Sequence, residues 1–221
     1  MSEKIKINAI IPAGGTSSRF GNKNKLLEKI QEKEVIRLTV EAFENSLVDE
    51  IIICSHPTII ADFEMIFKDF KKVKIIQGGD TRQQSVCNGL QFSECDYVLI
   101  HDGARPMIST ALINQTIDMV IDKKAVTVAT KTIDTIKEVE NGKIIKTIDR
   151  AKLYNTQTPQ AFEYKLIKNA HDKLKGKNFT DDAGMLEELN KTVYVLLGSY
   201  KNIKITTQND IEVAQIYFSN L

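Results

Sequence analysis

The 221-residue chain has no apolar run near the ~18 residues needed to span a bilayer. No signal-peptide core follows Met1-Ser2-Glu3-Lys4, so a cytoplasmic protein with no membrane partner is expected. Charge of one sign is missing too: 30 Lys and Arg against 29 Asp and Glu leave +1 with the histidines neutral. That balance excludes a general polyanion-binding surface, hence a nucleic-acid partner, and any phosphate must be held by local clusters. Cysteine is scarce. Cys54, Cys87 and Cys95 are odd in number and lack metal-ligand spacing, which excludes a disulfide framework and fits a reducing compartment. Repeats and low-complexity linkers are absent, and a single domain over residues 1–221 is expected. Two phosphate-binding fingerprints are missing as well: no glycine loop ends in Gly-Lys-Ser/Thr, and none has Gly-x-Gly-x-x-Gly spacing.

What is present is an apolar run, Ile5–Ile11, leading into Pro12-Ala13-Gly14-Gly15-Thr16-Ser17-Ser18-Arg19-Phe20-Gly21, with Lys25 beyond. A glycine loop leaving a buried strand turns backbone N–H groups toward an anion and lets a triphosphate approach the main chain. Further short runs rich in β-branched residues follow at Glu50–Ser55, Val73–Gln77, Tyr97–His101 and Ala125–Thr130. Between them, Val35–Ser46, Pro57–Phe70, Arg82–Gln91 and Thr110–Asp122 carry apolar residues at helical spacing. This alternation predicts an α/β fold: a Rossmann-like, doubly wound, mostly parallel sheet with its ligands at the carboxyl ends of the strands. The pattern breaks at residues 131–158. There Thr132–Val139 and Lys143–Ile148 flank Glu140-Asn141-Gly142, a strong hairpin signal. A partly polar hairpin inserted in such a domain is expected to be an arm that embraces a second copy in a homodimer. Helices at Phe162–Leu174, Asp181–Leu189 and Asn209–Phe218 are expected beyond it, with strands at Thr192–Leu197 and Ile203–Thr206.

The chemistry-bearing residues gather in the expected loops, and each has a plainer reading. Gly14, Gly15, Arg19 and Lys25 form either a phosphate loop or a tight turn with solvated cations. Asp102, in His101-Asp102-Gly103-Ala104-Arg105-Pro106, is a carboxylate placed to hold Mg²⁺ through its oxygens facing a triphosphate, or else forms a turn pair with Arg105. His101 is expected to pack rather than act as a base, because a phosphate attacking a phosphate has no proton to lose. Gly78-Gly79-Asp80-Thr81-Arg82-Gln83-Gln84-Ser85 offers a surface for base and ribose, with helix capping by Asp80 as the alternative. Asp134-Thr135, Asp149-Arg150 and Thr158-Pro159-Gln160 flank the arm and on their own look structural. Lys204 points opposite to Ile203 and Ile205 in an expected strand, as a solvated lysine would. Thr180-Asp181-Asp182 is most simply a helix N-cap.

In this order and spacing, these motifs resemble the sugar-phosphate nucleotidyltransferases over nearly the whole chain. Among these, the resemblance is to the 2-C-methyl-D-erythritol 4-phosphate cytidylyltransferases of the non-mevalonate isoprenoid pathway. The carrying segments are Ile10-Ile11-Pro12-Ala13-Gly14-Gly15, Gly78-Gly79-Asp80-x-Arg82-x-x-Ser85-Val86, His101-Asp102-Gly103-Ala104-Arg105-Pro106, Asp134-Thr135, Asp149-Arg150, Thr158-Pro159-Gln160, Thr180-Asp181-Asp182-Ala183 and Asn202-Ile203-Lys204-Ile205-Thr206.

The resemblance implies CTP and a polyol phosphate as substrates, Mg²⁺ as cofactor and a homodimer. Arg19 and Lys25 then neutralise the triphosphate and the pentacoordinate α-phosphorus, and Asp102 positions the metal. Pro12, Ala13, Gly14, Gly15, Gly79, Asp80, Arg82 and Ser85 hold the nucleotide. Lys204, grouped with the catalytic residues, faces the acceptor phosphate with Arg105, Thr135, Arg150 and Thr158. Thr135, Arg150 and Thr158 are expected to reach in from the partner's arm. The implied reaction is in-line attack by the acceptor's phosphate oxygen on the α-phosphorus of CTP, releasing pyrophosphate. A ribitol 5-phosphate cytidylyltransferase shares several of these motifs. The Thr180–Ala183 stretch and the short arm favour the methylerythritol acceptor. A non-catalytic nucleotide-binding module is the other alternative, disfavoured because both loop cations and Asp102 are present.

Overall fold

The computed structural model describes residues 4–15, Phe20 and residues 24–219. In chain order the first half comprises β1 (Ile7–Ala13), β2 (Lys29–Ile30), β3 (Lys33–Glu34), α1 (Val35–Glu44), β4 (Glu50–Ser55), α2 (Ile60–Ile66), β5 (Val73–Gln77), α3 (Arg82–Phe92), β6 (Tyr97–Ile100) and α4 (Thr110–Lys123). The second half comprises β7 (Ala125–Lys131), β8 (Ile136–Glu140), β9 (Lys143–Ile148), β10 (Tyr154–Glu163), α5 (Tyr164–Lys173), α6 (Asp182–Glu188), β11 (Tyr194–Leu197) and α7 (Gln208–Ser219).

Seven strands form one sheet in the order β11-β7-β10-β6-β1-β4-β5. All neighbours run parallel except β10, which is antiparallel to both β6 and β7. The doubly wound, mostly parallel arrangement is therefore present. The chain winds from β1 outward through β4 to β5, then returns to the other side of β1 as β6. This reversal opens a crevice at the carboxyl ends of β1 and β6, where α/β sheets bind ligands.

Burial on both faces explains why the central strands are continuous apolar runs. One core gathers Ile11, Ile51, Ile53 and Leu99 under Val40 and Phe43 of α1 and Ile113 and Val120 of α4. The other gathers Ile10, Ile52, Val98 and Ile100 under Val86 and Leu90 of α3 and Ile167 of α5. Helix α3 sits unusually close to the sheet. A Cβ on Gly89 would lie 2.7 Å from Ile10 Cγ2 and 3.0 Å from Cys54 Sγ. The three cysteines are unpaired, and burial pushes the Cys54 thiol up to about 12. No helix among the described residues is long and apolar enough to cross a membrane.

The Asn-Gly signal corresponds to a real hairpin. β8 and β9 pair antiparallel as their own two-stranded sheet, and Asn141 and Gly142 turn it with φ of 49° and 78°. Positive φ at both central residues suits the right-handed twist of the flanking strands. The arm is largely solvent-exposed and carries Val139, Ile144 and Ile145 on its surface.

Three expectations need correction. Phe162 and Glu163 belong to a strand, and the helix begins at Tyr164. That strand, β10, was not foreseen. It is entered from the arm and pairs with β7 from Tyr154, with a register shift between Thr156 and Gln160, and also with β6 from Gln160 to Glu163. Its polar centre, Gln157 to Gln160, looks like loop in sequence yet is buried because each polar side chain finds a partner. Ile203–Thr206 is not a strand. Its alternation arises because Ile205 is buried while its N–H bonds Ala104 O at 2.7 Å, one contact with the loop after β6 rather than a ladder. The expected helix over 57–70 is a 3₁₀ turn at Pro57–Ile59 followed by the short α2.

Candidate active site

Two glycine loops meet at the crevice. Gly14 leaves β1, and Gly78-Gly79 leaves β5; both close on Ser85 in the first turns of α3. A Cβ on Gly14 would lie 3.1 Å from Ser85 Oγ, and one on Gly78 would lie 2.9 Å from that oxygen and 3.0 Å from Cys54 O. A side chain at Gly78 would force Ser85 to shift, and one at Gly14 would press on it. The Ser85 hydroxyl accepts from Gly79 N–H at 3.0 Å and donates to Thr81 O at 3.0 Å, tying the second loop down. Helix α3 is capped by Thr81, whose hydroxyl accepts from Gln84 N–H at 3.0 Å; Asp80 is exposed and is not the cap.

A cavity of about 320 Å³ lies over these loops, lined by Pro12, Ala13, Gly14, Gly15, Asp80 and Ser85, with Lys25 among its walls. Asn24 Oδ1 accepts from Leu26 N–H at 3.0 Å, and buried Leu26 anchors the turn that carries Lys25. Lys25 Nζ donates to Ile205 O at 2.8 Å, which joins the glycine-loop region to the segment bearing Lys204. Arg19, expected beside Lys25, lies outside the described residues.

A second cavity of about 260 Å³ adjoins the first, lined by Arg105, Thr156, Thr158, Gln160, Thr180 and Asp181. Arg82, Asp102 and Lys204 line both cavities. Asp102 is the centre of this shared wall. Its Oδ1 accepts from Arg82 Nε at 2.9 Å, its Oδ2 accepts from Lys204 Nζ at 2.7 Å, and Arg105 Nε stands 4.0 Å from Oδ2. Burial would raise its pKa, but the charges and hydrogen bonds of Arg82 and Lys204 outweigh burial and hold the carboxyl well below the usual carboxylate range. Lys204 is thus paired rather than merely solvated, and Arg82 belongs to the shared wall as much as to the nucleotide cavity.

Behind the wall, Thr158 Oγ1 accepts from Asp102 N–H at 3.1 Å and donates to His101 Nδ1 at 3.0 Å. His101 Nε2 faces Arg105 O at 3.4 Å, which puts the single imidazole proton on Nε2. Burial pushes this histidine down to about 3, with Asp102 acting against the shift and Arg105 adding to it. It is a neutral packing residue lying tilted against Phe43, with ring centroids 5.0 Å apart. Arg105 is steered by the backbone: its Nη1 donates to Asn202 O at 2.7 Å, and Asn202 Nδ2 donates to Thr158 O at 2.9 Å. The sequence reading gave no individual role to Asn202 or Gln157, both of which brace this wall. Their signal was proximity to Lys204 and Thr158.

Thr135 and Arg150 line neither cavity. Both are exposed at the base of the arm, where Arg150 donates to Ile133 O. Asp181 is the α6 cap, accepting from Gly184 N–H at 3.1 Å, as expected for the Thr180-Asp181-Asp182 segment. Asp182 instead takes an ion pair from Arg82 Nη1 at 2.8 Å.

Among the described residues, no group of three or more His, Cys, Asp or Glu is placed to hold a metal ion. Mg²⁺ bound with a nucleotide commonly takes only one or two carboxylates and completes its shell with phosphate oxygens and water. Asp102, an ionised carboxylate facing both cavities, fits that arrangement.

Comparison with known proteins places the chain in a family. The family model described as 2-C-methyl-D-erythritol 4-phosphate cytidylyltransferase matches residues 7–220. The chain is 41% identical to the enzyme of that name from Clostridioides difficile, covering 94% of this chain and 92% of the relative. It is 42% identical to the one from Lachnoclostridium phytofermentans, with 95% of each covered. Among solved structures, it superposes with a TM-score of 0.88 on the 4-diphosphocytidyl-2C-methyl-D-erythritol synthase of Anaerococcus prevotii, at 32% identity over 97% of this chain and 96% of that one. On the Thermus thermophilus 2-C-methyl-D-erythritol 4-phosphate cytidylyltransferase the TM-score is 0.83 at 25% identity, with 96% and 98% covered.

The neutral His101 predicts an acid-side loss of stability. The unfolded chain takes up the imidazole proton near 6.5 and the folded chain not until about 3, so the unfolded state binds more protons in between. Stability therefore rises with pH through that window, by up to about 1.4 kcal/mol per pH unit. Chemical denaturation at pH 6.5 and 4.5 should differ by about 2–3 kcal/mol from this group, and His101→Gln should lose that increment. An unchanged slope in His101→Gln would contradict the assignment.

Proposed function

The chain belongs to the 2-C-methyl-D-erythritol 4-phosphate cytidylyltransferase family, and on that premise we propose that it transfers the cytidylyl group of CTP to 2-C-methyl-D-erythritol 4-phosphate. The observation that carries this reading is the pair of adjoining cavities with a common wall of Arg82, Asp102 and Lys204. Two substrates lying one in each cavity meet at that wall. The nucleotide takes the glycine-loop side, where Pro12 to Gly15, Gly79, Asp80, Arg82 and Ser85 form its cradle. The polyol phosphate takes the side of Arg105, Thr158 and Lys204.

The acceptor's phosphate oxygen attacks the α-phosphorus in line with the leaving pyrophosphate. One P–O bond forms as the bond to the β-phosphate bridge breaks, and no proton has to be removed, so a neutral buried His101 suffices. Catalysis is then alignment plus charge stabilisation. Lys25, with Arg19 in the same loop, supplies positive charge at the α-phosphorus. Lys204, Arg82 and Arg105 bring the acceptor phosphate close despite its like charge with the triphosphate. Asp102 keeps Lys204 and Arg82 at the wall and is the residue to hold Mg²⁺, which when bound neutralises phosphate charge. The reaction serves isoprenoid precursor synthesis, and we place it in the cytoplasm.

Pyrophosphate release from CTP, measured with each acceptor, tests this directly. Turnover is expected with 2-C-methyl-D-erythritol 4-phosphate and little with ribitol 5-phosphate. CTP binding with no pyrophosphate from either acceptor would instead indicate a non-catalytic module.

The exposed arm with its apolar Val139, Ile144 and Ile145 supports a homodimer in which Thr135 and Arg150 complete the partner's acceptor site. Thr158 belongs to the cavity of its own chain. If Arg150 acts across the boundary, Lys25→Ala and Arg150→Ala subunits should complement each other on mixing. Half the dimers are then mixed, and one site in each carries neither lesion, so about one quarter of wild-type activity returns. Mixed dimers seen by native mass spectrometry that stay inactive would return Arg150 to its own subunit's site.

A further inference from the structure

Asp182 has no part in the catalytic scheme above, yet it is the most deeply buried carboxylate bonded to the shared wall, at 1% exposure. It lines neither cavity. Nor does it cap its helix, since Asp181 does that, and its backbone N–H is taken by Gln160 Oε1 at 2.9 Å. The carboxylate's hydrogen-bonded cation is Arg82, through Nη1 at 2.8 Å; His171 Nε2 stands at 3.6 Å from its other oxygen. A buried carboxylate costs several kcal/mol unless it is paired, so this charge has a strong hold on the Arg82 guanidinium.

We infer that Asp182 is a positioning residue for cytidylyl transfer, acting through Arg82. This rests on the cytidylyltransferase reading of the site. Nη1 lies on the far side of the guanidinium from Nε–H, so Asp182 on Nη1 and Asp102 on Nε grip the group from opposite sides. That two-point hold fixes the plane and reach of Arg82, with Nε on Oδ1 of Asp102 and Oδ2 left to Lys204 at 2.7 Å. Asp182 thereby keeps Arg82 in place on the wall where the substrates meet. Without its charge, the guanidinium is held at Nε alone and turns away from the wall.

Asp182→Asn preserves shape and removes the charge. Its kcat is expected to fall about tenfold to 10²-fold, the scale of a small misplacement of a catalytic group. KM for CTP should rise less than kcat falls, and circular dichroism should show the fold retained. Because Asp182 acts only through Arg82, adding Asp182→Asn to Arg82→Gln should lower kcat no further. Losses that add, or an Asp182→Asn variant with wild-type kcat, would overturn the inference. Should Asp182→Asn fail to fold, Asp182→Glu keeps the charge and should retain most of the wild-type kcat; a folded Asp182→Glu as slow as Arg82→Gln would overturn it as well. A readout free of catalysis separates this from the activity assignment. The Arg82 Nε–H resonance, assigned by its loss in Arg82→Gln, should shift in Asp182→Asn even if the wild-type enzyme proves inactive with the acceptor. A resonance that does not move would sink the positioning role alone.

Discussion

The Asp102 carboxylate is the constraint around which the site is arranged. Two cations hydrogen-bond to it, one on each oxygen, and a third, the Arg105 guanidinium, stands at 4.0 Å. They arrive from three separated parts of the chain: the start of α3, the loop after β6 and the segment before α7. One buried negative charge therefore draws together groups that would otherwise repel. Its backbone is fixed from behind by Thr158 and, through Thr158, by His101. The arrangement resolves a problem set by the chemistry. Two anionic substrates must be brought together by cations, and cations packed that closely need a fixed counter-charge before the substrates arrive.

The chain's overall charge of +1 shows how local this solution is. Arg82, Arg105, Lys204 and Lys25 gather at the cavities. Pairing sets the protonation states. Asp102 and Asp182 are ionised despite burial because Arg82 lies between them, and Arg82 is held more firmly charged than usual because both carboxylates outweigh its own burial. His101, buried without a carboxylate bonded to its ring, goes the other way and stays neutral. Charge in this molecule is fixed where it is paired and excluded where it is not.

Much of the fold was legible because burial writes itself into periodicity. The parallel strands are apolar runs, α1 and α4 show helical spacing, and Asn141-Gly142 specifies its turn through positive φ. The loops at the strand ends were legible for the same reason. The largest failure, β10, comes from polar residues satisfied by distant partners. The centre of β10 is polar, yet Gln160 is fully buried because Thr127, Asp181 and the first N–H groups of α6 partner it. Ile203–Thr206 alternates without being a strand because it meets the core through Ile205, the partly buried Ile203 and one N–H to Ala104 O rather than through a ladder. Adjacent acidic residues were separable only in three dimensions: Asp181 caps α6 while Asp182 crosses to Arg82, and Thr81 rather than Asp80 caps α3. Sequence shows that a side chain is polar; it does not show which of two neighbours has a buried cation to meet.

The measurement that bears most directly on this account is the turnover of Asp102→Asn, assayed as pyrophosphate release from CTP with 2-C-methyl-D-erythritol 4-phosphate. The substitution keeps the shape of the side chain and removes the charge that organises Arg82 and Lys204. A loss of at least about 10²-fold in kcat is expected, on the scale of deleting one preorganised electrostatic group, with the fold retained by circular dichroism. Turnover equal to wild type in a folded Asp102→Asn enzyme would contradict the claim that this carboxylate holds the site together.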